Sequence, residues 1–452
     1  MAGRVDRRLA VAVSMAGLML TTVAARAATS TGAPDTLGGA AGFTATKLTT
    51  PGYSGPDTEP SIKVARDGTV YVGAIRGLPS GIDLWRVDHV GGTPTHLAAP
   101  VDSPAPGLTD VALGGGDMDL AINDDGRVAF SSLYLGSVTV GRSTNRGQTF
   151  TSQPLGTLIP GDDRQWQTSD GRTVYMSFHD LASGNIDVER SGDGLVYVPA
   201  GSVFSPGDAA LLDNQLGNIV ADREHPGLLY QVYVTSDSPS PTQSASVPGG
   251  TPTDNVIGVA ISTDGGASWI QHRVFTGPAI ANYASVFPAA ALDRAGNVFV
   301  VAGDGHDVLI FSSTDRGAHW SGPSKVNRQP GTALLPWVAA GGDGGVVVTW
   351  LGTPSADPNA KTDEWRVFAA ESRDATRAVP VYRDFTVSDH VVHRGAICTL
   401  GVSCRDGRQL GDFFQVALGR DGVANVAWAE DAPAGPATIS YARGGLALGP
   451  PN

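Results

Sequence analysis

Three features predict an all-β chain folded as a β-propeller of four-stranded antiparallel blades. They are a strand–turn–strand unit that recurs seven times, a short acidic turn motif between the units, and a composition with 59 glycines, 30 prolines and only 17% charged residues. Glycine and proline at that density fit many short strands joined by tight turns. No long stretch carries the 3.6-residue apolar period of a helix.

The seven units lie at 60–74, 118–133, 164–178, 215–234, 288–302, 336–350 and 414–428. In each, apolar residues alternate through one strand, a turn intervenes, and the alternation resumes, which is the period of a half-buried hairpin. Asp67-Gly68, Asp125-Gly126, Asp170-Gly171, Ala295-Gly296, Asp343-Gly344 and Asp421-Gly422 mark six turns, and His225-Pro226-Gly227 marks the other. Between units come two further strands, joined in several cases by Ser-x-Asp-x-Gly-x-x-aromatic or a relative. Good copies are Ser262 to Trp269 (STDGGASW) and Ser313 to Trp320 (STDRGAHW). Looser ones are Ser143 to Phe150 (STNRGQTF) and a worn copy at Ser191 to Tyr197. The aspartate accepts from turn amides, the glycine takes a conformation other residues resist, and the aromatic packs the hairpin onto its blade. Asp264, Trp269, Asp315 and Trp320 are therefore read as structural, as are Phe150 and Trp428. An orphan strand at 43–48 is expected to pair with 438–443 and close the last blade, removing a sheet edge.

Arg4, Arg7 and Arg8 precede an apolar run and the triplet Ala25-Arg26-Ala27, the layout of a signal peptide cleaved after Ala27. The expected organisation is a signal peptide (1–27), a disordered leader (28–40) and one propeller domain (41–452), with a flexible Ser/Pro/Gly/Thr-rich insertion at 236–254. No later stretch is a continuous apolar run long enough to span a bilayer. The expectation is a secreted, extracellular monomer with no membrane insertion. Formal net charge is −13 at pH 7, and the leader removes more positive than negative charge. Such acidity argues against nucleic acid as a partner. The two cysteines, Cys398 and Cys404, are read as one disulfide in an oxidising compartment, with a metal site as the rival reading.

Residues at the start of each inner strand should ring one mouth of the axial channel. That offset gives Glu59, Asp117 and Asp119, Asp163, Arg164 and Trp166, then Asn214 and Gln215. Phe287, Trp337, Asp412, Phe413 and Phe414 complete the set. Glycoside hydrolysis uses a pair of carboxyl groups, one protonating the leaving oxygen and the other serving as base or nucleophile. Asp117, Asp119, Asp163 and Asp412 are the catalytic candidates. Glu59, Arg164, Trp166, Gln215, Trp337 and Phe413 are the substrate-binding candidates, and His179-Asp180 lies at the far end of the same hairpin. The bland alternative is that such aspartates cap backbone amides or hold water or calcium in the channel. No cofactor is required on this reading, and a structural calcium is the one ion the acidic mouth would suit.

The acidic boxes and the repeat layout resemble those of the sialidase superfamily of Asp-box, or BNR-repeat, propellers, exported actinobacterial proteins among them. The resemblance implies a propeller acting on extracellular glycans. In true sialidases it further implies six blades, the alternative count to seven, a Phe-Arg-Ile-Pro type motif, three arginines clamping a sialate carboxylate and a tyrosine nucleophile. Here the first unit reads Asp57-Thr58-Glu59-Pro60-Ser61-Ile62, with glutamate where that motif would carry arginine. Arg164, Arg394 and Arg443 could form a triad with Tyr283 or Tyr441, but no spacing compels it. Three functions stay open: a glycoside hydrolase using rim carboxylates, a non-catalytic propeller binding a glycan or a protein, and a polysaccharide-cleaving lyase.

Overall fold

The computed structural model describes residues 41–77, 81–97, 116–134, 137–155, 162–238, 254–284, 286–329, 331–401, 404–432 and 434–452. The expected signal peptide and leader lie outside them, as does most of the 236–254 insertion. One compact unit runs from Ala40 to Asn452.

The described strands form seven antiparallel sheets, one per predicted unit. Blade 1 begins with Asp57–Val64, blade 2 with Met118–Ile122, blade 3 with Asp162–Ser169 and blade 4 with Asn214–Ala221. Blades 5, 6 and 7 begin with Ala289–Leu292, Thr332–Ala340 and Gln415–Leu418. These inner strands contact one another in cyclic order, 7 to 1 included, and so line an axial channel. Each hairpin turn carries its glycine in the left-handed region, as at Gly68 (φ 89°) and Gly422 (φ 76°), where a side chain would be strained.

Ring closure follows the expected route. The N-terminal strand Ala41–Lys47 is antiparallel to Thr438–Gly445, with Thr46 opposite Tyr441, and becomes the outermost strand of blade 7. The Leu48 N–H then donates to the Ile439 carbonyl at 2.8 Å, and the Trp85 indole of blade 1 donates to the Thr49 carbonyl at 3.0 Å. First and last blades are thereby stitched by one chain segment.

The acidic turns hold the outer strands as the motif requires. In blades 4 and 5, Asp264 and Asp315 each accept from the serine two residues earlier at 2.8 Å and from the amide four residues later. Those bonds hold both carboxyls down at about 2. The Trp269 and Trp320 indoles donate to the Gly266 and Gly317 carbonyls at 3.0 Å, folding each ring back over its own turn. The worn copy in blade 3 is a true one, since Asp193 accepts from Ser191, Leu195 and Val196. Blade 6 adds one the sequence did not announce: Ser372 donates to Asp374 at 2.9 Å in a turn without glycine or aromatic.

Candidate active site at one mouth of the channel

Four inner strands break register shortly after they begin. The shifts fall between Thr58 and Ser61, Asp163 and Trp166, Leu216 and Ile219, and Leu334 and Trp337. Three place a non-glycine residue in the left-handed region: Glu59 (φ 53°), Arg164 (φ 43°) and Leu335 (φ 54°). A bulge of this kind re-aims the side chains on either side of it. Proline follows at Pro60 and Pro336, where the broken ladder has no use for an N–H.

The first result is an aromatic plug. Trp166 packs against Trp337 and Phe413 with ring centroids 5.1 Å apart in both cases, and against Phe287 at 5.4 Å. Trp166 is fully buried, and Trp337 and Phe413 nearly so. These rings, expected at the rim, pack on one another across the channel. The shift that follows Arg164 turns Trp166 inward, and the equivalent shift in blade 6 does the same for Trp337.

On one side of the plug is a mouth cavity of about 240 Å³, lined by Asp117, Asp163, Arg164, His179, Gln215, Val286, Phe287, Arg408 and Asp412, among others. Its wall includes Thr399, Leu400 and Gly401, inside the loop closed by the Cys398–Cys404 disulfide. On the other side the inner strands of all seven blades line a second chamber, with Trp337, Gln167 and Gln415 in its wall.

The predicted carboxylates separate accordingly. Asp117, Asp163 and Asp412 face the mouth cavity, with Glu59 buried directly behind them. Glu59 Oε1 accepts from the Asp412 N–H at 3.0 Å, and Glu59 also bonds to the Asp117 side chain. Burial first, then repulsion from Asp117 and Asp412, raises Glu59 well above the usual carboxylate range. Asp163 rises to about 6 through burial and the Asp117 charge. Burial also raises Asp412, against the pull of Arg408, which forks onto it through Nε at 3.0 Å and through Nη2.

Asp119 does not join this group. It is 1% exposed and accepts from Ser61 Oγ at 2.5 Å and the Gln167 N–H at 2.7 Å, with Lys63 Nζ 3.3 Å away. It ties blades 1, 2 and 3 together.

Arg164 lies flat on the plug, its guanidinium carbon 3.6 Å from the Trp166 ring and 4.3 Å from Phe413. Nη1 reaches the Met118 carbonyl at 3.4 Å, whereas Nε and Nη2 are buried without a hydrogen-bond partner. Burial lowers His179, so its ring is neutral at pH 7, and Nε2 also lacks a partner. The other triad members are elsewhere: Arg394 pairs with Glu364, Arg443 with Asp421, Tyr441 with Asn425, and Tyr283 packs on Phe275. Sequence reasoning missed Arg408 and the disulfide loop as parts of the mouth. The cysteines were the one signal that this loop is held in place.

Among the described residues, no group of three or more His, Cys, Asp or Glu is placed to hold a metal ion. No helix among them is long and apolar enough to cross a membrane.

No protein-family model matches the sequence, and no curated protein matches it. Solved structures do match in fold. A GH74 xyloglucanase from Xanthomonas campestris superposes with a TM-score of 0.51 at 15% identity, over 88% of this chain and 55% of that one. This chain thus spans about half the xyloglucanase's length. The polysaccharide lyase Uly1 gives a TM-score of 0.49 at 10% identity, over 86% and 89% of the two chains. A Hadza microbial sialidase gives 0.43 at 13% identity, over 74% and 66%. The fold is a β-propeller of seven four-stranded blades. At these identities the likeness is one of fold.

Proposed function

We propose that this protein is a carbohydrate-active propeller, a secreted glycoside hydrolase that removes terminal sugars from extracellular glycans at the mouth cavity. The observation that carries the reading is the Asp163 carboxyl, raised to about 6 beside Asp117 in a cavity with a closed floor. A carboxyl in that range keeps its proton under mildly acidic conditions and gives it up readily, as a general acid must. The cavity is smaller than the roughly 300–1,000 Å³ typical of pockets for drug-sized ligands. It suits one sugar ring, which favours attack at a chain end.

In this mechanism Asp163 delivers its proton to the glycosidic oxygen as the bond to the anomeric carbon breaks. Asp117, its charge offset by neighbouring Arg164 and Arg408, supplies the second carboxylate, as base toward water or as nucleophile. Glu59, raised well above the usual carboxylate range chiefly by burial, backs Asp117 and hydrogen-bonds to its side chain. Arg164, in the cavity wall, is a cation available to a bound sugar's hydroxyl or carboxylate, and its unpartnered Nε and Nη2 would have to be uncovered to donate to it.

The test is mass-spectrometric product analysis with neutral, uronic-acid-containing and sialylated oligosaccharides. Released monosaccharide is expected, with turnover falling above about pH 6 as Asp163 deprotonates. Asp163→Asn should lower kcat by 10²-fold or more. Saturable binding with no product across the panel would replace this reading with that of a glycan-binding propeller.

A further inference from the structure

We propose that a calcium ion binds at the mouth-side end of blade 4, between the carboxylates of Asp213 and Asp254 and the amide oxygen of Asn214. The site is separate from the mouth carboxylates and is built from the starts of two strands, Asn214–Ala221 and Val256–Ser262.

Asp254 is 1% exposed, and neither of its carboxylate oxygens has a hydrogen-bond partner. Asp213, 2% exposed, leaves Oδ2 unpaired, and Asn214, 4% exposed, leaves Oδ1 unpaired. The Asn214 amide cannot flip to relieve this, because its Nδ2 already donates to the Gly184 and Ala210 carbonyls at 2.8 Å each. Four buried oxygen acceptors without a donor are thus concentrated at one end of one blade. Folded proteins rarely leave such groups unsatisfied, and an unpaired buried carboxylate is the costliest of them.

The electrostatics agree. Asp254 is close enough to Asp213 to feel its charge, and no basic side chain offsets either one. Burial and that repulsion push Asp254 up to about 8, and burial pushes Asp213 up to about 6. A bound cation would remove both penalties. The donors are all oxygen, which selects a hard ion, and calcium tolerates a partial protein cage completed by carbonyls and water where magnesium demands near-octahedral geometry.

The position gives the ion a consequence. Gln215, next to Asn214, lines the mouth cavity. The Tyr283 N–H donates to the Asp254 carbonyl at 2.9 Å, and Ala284 beside it lines the same wall. Loading the site would fix the part of the mouth built by blades 4 and 5.

The experiment uses the full chain, stripped with chelator and re-equilibrated with CaCl2 or MgCl2. Bound metal is counted by mass spectrometry and Tm is read by scanning fluorimetry. One calcium per chain is expected, with a rise in Tm of about 3 °C at calcium well above Kd and a smaller rise with magnesium. Asp254→Asn should abolish both calcium effects, while its calcium-free Tm equals or exceeds that of the stripped wild type, because a buried unpaired charge has gone. Asp163→Asn, in the mouth, should keep both effects. Stripped wild type that takes up no calcium and ionises one group near pH 8 would overturn the proposal in favour of a proton-holding pair. Retained binding in Asp254→Asn, or lost binding in Asp163→Asn, would also overturn it. If Asp254→Asn does not fold, wild-type uptake and its retention in Asp163→Asn decide the matter.

Discussion

Asp119→Asn separates structural from catalytic aspartates on a single strand. Asp119 is the middle of a polar chain beneath the plug. Gln415 of blade 7 accepts from the Ile62 N–H at 3.1 Å, the Ser61 hydroxyl of blade 1 gives its one proton to Asp119 of blade 2 beside Lys63, and Asp119 accepts from the Gln167 N–H of blade 3. An amide in its place keeps the volume but can accept through only one oxygen, so either Ser61 or Gln167 loses its acceptor and Lys63 loses its counter-charge. A hydrogen bond to a buried charge contributes roughly 1.5–3 kcal/mol. The Lys63 pairing adds little because that side chain is 28% exposed. The expected loss is therefore about 3 kcal/mol. Unfolding entropy of roughly 2.1 cal/mol/K per residue, over about 410 residues of the Ala40–Asn452 unit, converts this to a fall in Tm of about 3–4 °C. Scanning calorimetry measures that fall, and oligosaccharide turnover or binding per folded molecule should match wild type. An Asp119→Asn protein with unchanged Tm but no turnover or binding would refute the structural assignment and return Asp119 to the site.

Two further predictions concern pH and redox state. Asp163 and Asp213 are raised to about 6, Glu189 and Glu371 to about 7 and Asp254 to about 8, in each case chiefly by burial. Between their unfolded and folded values these acids hold more protons in the folded state, so stability falls as pH rises through that window. Asp264 and Asp315, held at about 2, act in the opposite sense and favour folding only above that value. In calcium-free buffer, Tm should peak near pH 4–5 and decline toward pH 8; a Tm that climbs steadily from pH 5 to 8 would contradict these assignments. Reducing Cys398–Cys404, which spans a sequence separation of 6, frees a short loop that contributes no strand to any blade among the described residues. Tm should drop by no more than about 3 °C, since closing so short a loop is worth roughly 2–3 kcal/mol. Turnover or binding should fall several-fold as the wall at Thr399, Leu400 and Gly401 loosens, and equal function in reduced and oxidised protein would show that this wall does not touch the ligand.

The blades and the closing strand could be read from the sequence because each rests on local chemistry: period-two alternation, an Asp-Gly turn and a serine-aspartate box. The mouth could be read only in part. Asp117 and Asp119 are two residues apart, which on a strand is roughly 6.6 Å along the channel axis. That distance separates the mouth from the space beneath the plug. Trp166 and Trp337 have the offset of rim residues, and only the register shifts, invisible in a pattern of side-chain types, turn them inward. Arg408 arrives from a disulfide-held loop with no repeat equivalent. Asp213 and Asp254 come together only because two strands of blade 4 start at the same end, with an insertion between them in sequence.

Within the inner strands, the backbone itself sets the mouth apart. A non-glycine residue in the left-handed region is strained at a cost of order 1–3 kcal/mol, and glycine, abundant in this chain, would relieve it. Yet Glu59 and Arg164 hold those positions, with φ of 53° and 43°. Their side chains therefore do something that glycine could not. Arg164 lays its guanidinium on Trp166 with two donors unspent, and Glu59 accepts from the Asp412 N–H while bonding to Asp117. Both act toward the mouth. Below the plug, Ser61 Oγ, Lys63 and the Gln167 N–H all meet the Asp119 carboxylate, and the orphans there are two amide atoms, Gln415 Nε2 and Gln167 Oε1. An unpartnered guanidinium, raised carboxyls and strained backbone thus coincide at one end of the channel, which is the support for proposing the chemistry there.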